Sequence, residues 1–156
     1  MMEKQPVGVD VLAAIAAGVL GLVVLSAIWV GLVFPGPVAS GGGGILTGTF
    51  GLTEHEWGFD GFAKGGPEIC AGIGNTTTIA LRNDGKNLHG FQVVDAQGNK
   101  VAGLNSTDLL RPGTVRQITI KLDKAGSYFY ICPVPGHRAK GMVAPFVCQS
   151  GPCAAA

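Results

Sequence analysis

Four side chains of this sequence carry sulfur or nitrogen donor atoms of the kind that bind soft metal ions. Cys132, His137 and Met142 lie in one run near the C-terminus, with four residues between each consecutive pair. His89 lies far upstream, in a separate β-rich segment. The whole chain contains only three histidines and four cysteines, so any metal site in it must be small.

One thiolate, two imidazoles and a weak thioether together describe a trigonal copper site with a long axial methionine bond. Sulfur ligands favour Cu(I), whereas imidazole binds both common oxidation states of copper. Four donors fixed by a rigid scaffold rearrange little when an electron arrives, which makes electron transfer fast. Such a site has no open position and no acid–base pair. We therefore predict an electron carrier rather than an enzyme, with one mononuclear copper ion at these four donors.

Each donor also has a simpler interpretation. Cys132 could form half of a disulfide, and Met142 could be an ordinary core residue. His137 could be a solvated loop residue, and His89 a hydrogen-bonded core residue. Taken one at a time, these interpretations are the more common ones. Together they require four coincidences, which favours the metal site.

Short β-rich runs separated by turn residues must position these donors. Ile118, Ile120 and Leu122 share one face of the run VRQITIKL. Similar runs are TTTIALR, LHGFQVVD, SYFYIC and MVAPFVC. The alternation predicts an all-β fold, a Greek-key antiparallel β-sandwich of seven or eight strands. At most one helical turn fits, around Ser106–Leu110.

An uninterrupted apolar run, residues 11–34, precedes the β-rich part. Ser26 is its only polar side chain. As a helix the run would be about 36 Å long, enough to cross about 30 Å of hydrocarbon. A cleaved signal peptide is the competing interpretation, with Val38-Ala39-Ser40 as the cleavage site. Because the run is too long for such a peptide and no clear positive region precedes it, we predict one retained transmembrane helix in contact with membrane lipid.

The predicted helix divides the rest of the chain into three segments. Residues 1–10 form a short N-terminal tail, residues 35–44 a flexible Gly-rich linker, and residues 45–156 a single domain. Lys4 and the amino terminus are the only positive groups before the helix. This weak bias predicts a single-pass protein of the cell membrane, with the domain on the extracytoplasmic side.

Small residues recur along the predicted helix. Ala13, Ala17 and Gly21 are spaced every four residues, a pattern that lets a second membrane helix approach closely. Ala and Gly are also simply common in membrane helices. A helix partner in the membrane and the absence of one are therefore equally open.

Composition excludes two other classes of protein. Hydrophobic residues make up 47% of the chain and charged residues only 13%, the opposite of a disordered composition. Eleven Lys and Arg against ten Asp and Glu give a net charge of +1. No basic surface therefore points to nucleic acid as a partner.

The run YFYICPVPGHRAKGM, with NLHGF upstream, closely resembles the small blue copper proteins, the cupredoxins. Its C-x4-H-x4-M spacing and C-x-x-P-G-H core are most similar to the rusticyanin and sulfocyanin branch, over roughly residues 65–148. The resemblance implies a cupredoxin-like domain with a type 1 copper ion bound by His89, Cys132 and His137, and with Met142 as axial ligand. Because sulfocyanins share the N-terminal anchor, it also implies a membrane respiratory complex, such as a terminal oxidase, or a cytochrome as redox partner.

One position departs from the family pattern. Gly90 follows the first histidine, where a polar side chain often ties the two ligand loops together, so this brace must come from elsewhere or be absent. Pro133 and Pro135 lack N–H groups, which leaves Val134 as the expected donor to the Cys132 sulfur. Such a hydrogen bond would stabilise Cu(I) and raise the reduction potential.

The electron needs an exit from the site. Apolar residues of the ligand loop surround His137, which predicts a docking patch around a partly exposed imidazole edge. Arg138 and Lys140 lie in the same loop. They either steer an acidic partner or are simply solvated.

Two other functions stay open. A copper chaperone or storage module would need an easily exchanged site, which four buried donors disfavour. A membrane anchor before a copper domain also resembles subunit II of terminal oxidases, whose dinuclear centre needs a second cysteine in the ligand loop. Residues 133–136 contain none. A mononuclear-copper accessory subunit of a terminal oxidase is therefore the second alternative.

The other cysteines and the third histidine complete the candidates. Cys70, Cys148 and Cys153 are an odd set, and a domain outside the cytoplasm permits one disulfide among them. The sequence does not choose the pair. His55, with a glutamate on either side, is a surface strand residue or, less often, part of a second metal site.

Overall fold

The computed structural model describes residues 45–153. The predicted tail, transmembrane helix and linker all lie outside these residues. Within the described part of the chain, no helix is both long enough and apolar enough to cross a membrane.

Ten strands form two sheets. In spatial order, the first sheet contains β1 (Ile45–Leu46), β4 (Glu68–Gly72), β10 (Val143–Gln149), β9 (Gly126–Ile131), β6 (Gln92–Val94) and β7 (Lys100–Gly103). The second sheet contains β3 (Gly58–Phe59), β2 (Thr49–His55), β5 (Thr76–Asn83) and β8 (Val115–Lys121). A single short helix, α1 (His137–Lys140), lies between β9 and β10 in this part of the chain. The described residues are thus mostly β, as predicted.

The sheets are mixed, so the prediction of a purely antiparallel sandwich is wrong. β1 and β10 both run parallel to β4, and β2 runs parallel to β5. After β2 and β3 the chain crosses to the other sheet to form β4, and it then returns to place β5 beside β2. Such crossovers produce parallel neighbours, whereas hairpins produce antiparallel ones. Hydrophobic alternation is the same in both cases and does not distinguish them.

The helical turn also differs from the prediction, because it lies in the ligand loop rather than around Ser106–Leu110. Gly136 precedes α1 with φ 82°, and Gly141 follows it with φ 128°. Both values fall in the left-handed region that glycine adopts far more readily than other residues. The two glycines therefore set where the turn begins and ends.

The core lies between the two sheets and is built from alternate side chains of each strand. Ile79 of β5 pairs with Ile118 of β8, and both are buried. The predicted inward face of Ile118, Ile120 and Leu122 is confirmed. Burying a large apolar side chain contributes about 1.5–3 kcal/mol to the stability of the fold, so these side chains hold the two sheets together.

An aromatic cluster fixes the strand that leads to Cys132. The Tyr130 ring stacks on Phe91 at a centroid distance of 5.3 Å and meets Phe59 edge-on at 4.7 Å. The buried Tyr130 hydroxyl donates a hydrogen bond to the carbonyl oxygen of Pro67 at 2.7 Å. The ring contacts and the hydroxyl hydrogen bond of Tyr130 therefore both restrain β9.

A disulfide joins Cys70 of β4 to Cys153, 83 residues later. This is the pair that the sequence did not choose. Cys132 and Cys148 are buried free thiols. Because Cys70 pairs with Val147 of β10, the bridge fastens the segment that follows β10 to the sheet.

Candidate metal centre

Cys132 directly follows the last residue of β9 and is 1% exposed. Its backbone N–H donates to the carbonyl oxygen of Met142 at 3.2 Å. The strand therefore delivers a buried sulfur to the point where β9 ends and the ligand loop begins.

His89 is positioned by a bridge between two loops. Its N–H donates to the Leu110 carbonyl at 3.2 Å, and the Leu110 N–H donates back to the His89 carbonyl at 2.7 Å. The Asn83 side-chain amide donates to the same Leu110 oxygen at 2.9 Å. His89 is fully buried, so its backbone and side chain are both constrained.

His137 is the first residue of α1 and is 7% exposed. Its carbonyl oxygen accepts a hydrogen bond from the Met142 N–H at 3.1 Å. This bond closes the loop on itself. It returns the chain from α1 to β10 directly beside Cys132.

The structure brings three of the four predicted donors together. The Cys132 Sγ lies 3.7 Å from the Nδ1 of His89 and 3.5 Å from the Nδ1 of His137. All three candidate ligand atoms lie within 4.8 Å of one another. Within residues 45–153, no other group of three or more His, Cys, Asp or Glu side chains converges in this way, and His55 belongs to no second cluster.

Met142 lies at the same place in the fold. It is fully buried, and its backbone is hydrogen-bonded to both Cys132 and His137. Its side chain belongs to the hydrophobic core cluster that also contains Cys132. The backbone contacts set Met142 beside two of the converging donors.

Burial controls the protonation of all three converging groups. It lowers the pKa of His89, against the opposing effect of the nearby Glu56 carboxylate. It also lowers the pKa of His137, with a further contribution from the His89 charge. Both imidazoles are therefore neutral near pH 7, the form that binds metal ions.

The Cys132 thiol behaves differently. Burial raises its pKa to about 11, while the backbone N–H groups of Val134 and Gly90 act in the opposite direction. Val134 is the group expected from the sequence, and Gly90 acts on the pKa of the thiol in the same direction. Without a metal ion the thiol keeps its proton, and metal binding must displace it.

Glu56 lies behind His89. One carboxylate oxygen, Oε1, lies 3.2 Å from the Nε2 of His89 and accepts hydrogen bonds from the backbone N–H groups of Lys86 and Asn87. Burial raises the pKa of Glu56, but the hydrogen bonds from Asn87, Lys86 and His89 outweigh this effect and lower it to about 2. The carboxylate is therefore ionised across the ordinary pH range.

Trp57 covers the second imidazole. Its ring meets the ring of His137 edge-on at a centroid distance of 4.9 Å, and the Lys140 ammonium lies 3.9 Å above the same indole. The sequence predicts a partly exposed edge of the His137 ring. Only 7% of this residue is exposed, so the prediction is met only marginally. Lys140, expected to be either solvated or a steering charge, contacts this aromatic ring.

The donor set fits copper better than zinc. Structural zinc sites use four strong ligands from Cys, His and carboxylates, whereas only three such side chains converge here. Two imidazoles and one thiolate with a nearby methionine match the type 1 copper pattern. The buried thiol and the two inward Nδ1 atoms are thus suited to one mononuclear copper ion.

Sequence reasoning missed Glu56 and Trp57 as parts of this centre. Glu56 is 33 residues away from His89, so no local spacing links the two. The available signal was the Glu-Trp pair next to a predicted strand. The sequence instead favours a surface strand around His55 or, less often, a second metal site there.

No protein-family model matches the chain, and no curated protein matches it in sequence. Solved structures do match. Dithionite-reduced auracyanin from Roseiflexus castenholzii aligns with a TM-score of 0.53 and 21% identity, over 67% of this chain and 97% of that protein. Auracyanin A from Chloroflexus aurantiacus, a blue copper protein, aligns with a TM-score of 0.53 and 22% identity, over 65% and 98% of the two chains.

Multicopper oxidases also match. The one from Pseudomonas thermotolerans gives a TM-score of 0.54 and 17% identity over 69% of this chain, but the alignment spans only 31% of the oxidase. At these identities the likeness shows the fold. The described residues have a cupredoxin-like fold, and their His-Cys-His group fits one type 1 copper ion.

Proposed function

We propose that this protein is a type 1 blue copper electron carrier of the respiratory chain. The observation that carries the proposal is the convergence of two imidazole Nδ1 atoms on the buried Cys132 Sγ, at 3.7 and 3.5 Å. Copper held there supplies a one-electron couple between Cu(II) and Cu(I). The cupredoxin-like fold and the donor set together support a carrier of single electrons.

Each residue has a defined role in this proposal. Cys132 supplies the thiolate, His89 and His137 supply neutral imidazoles, and Met142 supplies the weak axial donor. Hydrogen bonds tie the backbones of Cys132, His137 and Met142 to one another, and His89 is tied to Leu110. These restraints keep the donors in place in both oxidation states, which favours fast transfer.

A carrier is favoured over a copper enzyme. The multicopper oxidase from Pseudomonas thermotolerans is about three times as long as its matched region. The full sequence holds only three histidines, and two of them lie against Cys132. One remaining histidine does not suffice for a further catalytic copper site.

Membrane attachment and partners form the finer part of the proposal. Residues 11–34 would anchor the protein in lipid and keep the copper domain on the extracytoplasmic side, where disulfides such as Cys70–Cys153 persist. The acceptor would be a terminal oxidase or a cytochrome, and the affiliation with rusticyanin and sulfocyanin rests on the C-x4-H-x4-M spacing. Ala13, Ala17 and Gly21 are where a second membrane helix would pack, if one is present.

The visible spectrum of the copper-loaded full-length protein tests the function. We expect an intense thiolate-to-copper absorption that disappears on reduction and returns on oxidation. A Cys132→Ser variant should lose this band completely. The matched control is Cys148→Ser, which alters the other buried free thiol and should keep the band.

Three results would contradict the proposal. Copper-loaded wild type without the band, or loss of the band in Cys148→Ser, would place the copper elsewhere. Transfer of copper to a chelator within the mixing time would instead favour a chaperone or storage module, because that role needs an exchangeable site.

A further inference from the structure

Gly90 has no side chain, so it does not supply the usual brace between the ligand loops. A Cβ atom added to Gly90 would lie 2.9 Å from Leu109 Cδ2 and 3.4 Å from two ring carbons of Pro133. The 2.9 Å distance is tighter than ordinary van der Waals contact, so a larger side chain at position 90 would displace the end of the flexible Leu109 side chain. Another residue must restrain the imidazoles.

We propose that Glu56 is a positioning residue for the metal centre: its carboxylate fixes the tautomer of His89 and adds a negative charge that favours Cu(II). The effect of the charge on Cu(II) rests on the proposed copper function. The effect on the His89 tautomer depends only on the protein's own hydrogen bonds and holds without a metal ion.

The carboxylate is held in a fixed place by the loop before His89. Its Oε1 accepts hydrogen bonds from the Lys86 N–H at 2.9 Å, the Asn87 N–H at 2.8 Å and the Asn87 side-chain amide at 3.0 Å. The buried Asn83 side chain holds the same loop through the Gly85 N–H and the Asn87 carbonyl. The charge therefore does not move freely toward solvent.

The tautomer follows from the partners of each ring nitrogen. An ionised carboxylate only accepts hydrogen bonds, so the His89 Nε2, 3.2 Å from Glu56 Oε1, must carry the proton. In a neutral ring the Nδ1 then carries the lone pair. That atom is the one that faces the Cys132 Sγ at 3.7 Å. Glu56 thus keeps the metal-binding nitrogen free of its proton.

A second observation shows that space is kept for this contact. A Cβ atom on Gly85 would lie 2.8 Å from the His89 Nε2, 2.9 Å from Glu56 Oε1 and 3.0 Å from its Oε2. Any other residue at position 85 would press on the carboxylate and the imidazole at once. Glycine at this position therefore preserves the Glu56–His89 pair.

The next residue extends the brace to the other imidazole. Trp57 contacts His137 edge-on, so two consecutive residues touch the two histidines that face Cys132. The β2–β3 segment thereby takes the place of the side chain that is missing at Gly90. Partners that orient metal-binding histidines commonly affect metal affinity 10–100-fold.

The charge has a predictable effect on the copper couple. A fixed negative charge next to a ligand stabilises Cu(II) more than Cu(I), because the oxidised ion carries the larger positive charge. Removing the charge while keeping the hydrogen bond should therefore weaken Cu(II) binding and raise the reduction potential. Each tenfold loss of Cu(II) affinity relative to Cu(I) raises a one-electron potential by about 59 mV.

Three variants separate the two roles of Glu56. Glu56→Gln keeps an acceptor oxygen and loses the charge, Glu56→Ala loses both, and Gly85→Ala displaces the carboxylate without changing it. Glu68→Gln, on β4, is the matched control. The readouts are the ¹⁵N NMR spectrum of His89 in the copper-free full chain, the Cu(II) affinity and the reduction potential.

We expect a single His89 tautomer, protonated at Nε2, in wild type, Glu68→Gln and Glu56→Gln. Glu56→Ala and Gly85→Ala should give mixed tautomers and about 10–100-fold weaker Cu(II) binding. Glu56→Gln should bind Cu(II) about tenfold more weakly, with a higher potential. A single Nε2-protonated tautomer in Glu56→Ala, or a wild-type potential in Glu56→Gln, would overturn the inference. Wild type without the thiolate-to-copper band would overturn the copper function, while the copper-free spectra would still decide the role of Glu56.

Discussion

Two buried cysteines have opposite chemistry, although one lies on β4 and the other directly follows β9 of the same sheet. Cys132, 1% exposed, keeps a free thiol between two imidazoles, and Cys70, 3% exposed, is joined to Cys153. Burial therefore does not decide what a cysteine does. The atoms that the fold places beside the sulfur decide it: two nitrogens in one region and a second sulfur in the other.

The two regions also differ in what they contribute to stability. Near the metal centre, Glu54 of β2 is fully buried, and neither of its carboxylate oxygens has a hydrogen-bond partner. The Cys70–Cys153 region is closed by a covalent bond across 83 residues. Uncompensated polar groups cost stability and disulfides add it. The comparison indicates that the covalent cross-link lies in one region and the buried carboxyl that costs stability lies in the other.

The largest effect should come from Glu54. Burial raises its pKa from the ordinary 4.5 to about 8, so the folded protein holds a proton that the unfolded chain releases. Stability should therefore fall as the pH rises from about 4.5 to 8 and stay low above that. Glu54→Gln removes the penalty. In copper-free protein it should match wild type near pH 5 and exceed it by about 3–5 kcal/mol near pH 9.

Urea unfolding at the two pH values measures this difference. Glu68→Gln, which changes a carboxyl outside the metal centre, should show no such pH-dependent gain. An equal stability of Glu54→Gln and wild type at high pH would mean that Glu54 has a partner, and the contrast between the two regions would lose its main support.

Removing the disulfide should have the next largest effect. The double variant Cys70→Ala/Cys153→Ala should lose about 2–4 kcal/mol of unfolding free energy, because the unfolded chain is no longer constrained. If the two regions are independent, the visible spectrum of the copper-loaded variant should equal that of wild type. A shifted or weakened copper band would show that the bridge also supports the metal centre.

The parts of the molecule that were predictable from sequence depend on short-range patterns. Alternation along a strand predicted that Ile118, Ile120 and Leu122 lie in the core. The four-residue spacing between Cys132 and His137, with a turn at Pro135-Gly136, predicted that these two side chains meet. Both patterns arise within a few consecutive residues. The periodicity of side chains and the geometry of tight turns are local properties, so they can be read without the fold.

The parts that escaped prediction depend on contacts between distant segments. The parallel pairing of β2 with β5 leaves no trace in the alternation of either strand. The Cys70–Cys153 pair follows from the position of β4 beside β10. In the sequence, Gly85 is simply part of the turn-forming run Asn83-Asp84-Gly85, and its tight fit against Glu56 and His89 appears only when the loop is folded.

The smallest predicted effect concerns the sulfur itself. The Val134 N–H favours the thiolate of Cys132, and Gly90 contributes a second N–H, so losing one donor should be tolerated. Val134→Pro removes that N–H, whereas the control Val134→Ala keeps it. A neutral hydrogen bond contributes about 0.5–1.5 kcal/mol, so voltammetry should show a potential about 20–60 mV lower in Val134→Pro. This variant tests whether a backbone N–H group tunes the free sulfur of Cys132. An unchanged potential would mean that the Gly90 donor is sufficient and that Val134 only shapes the loop.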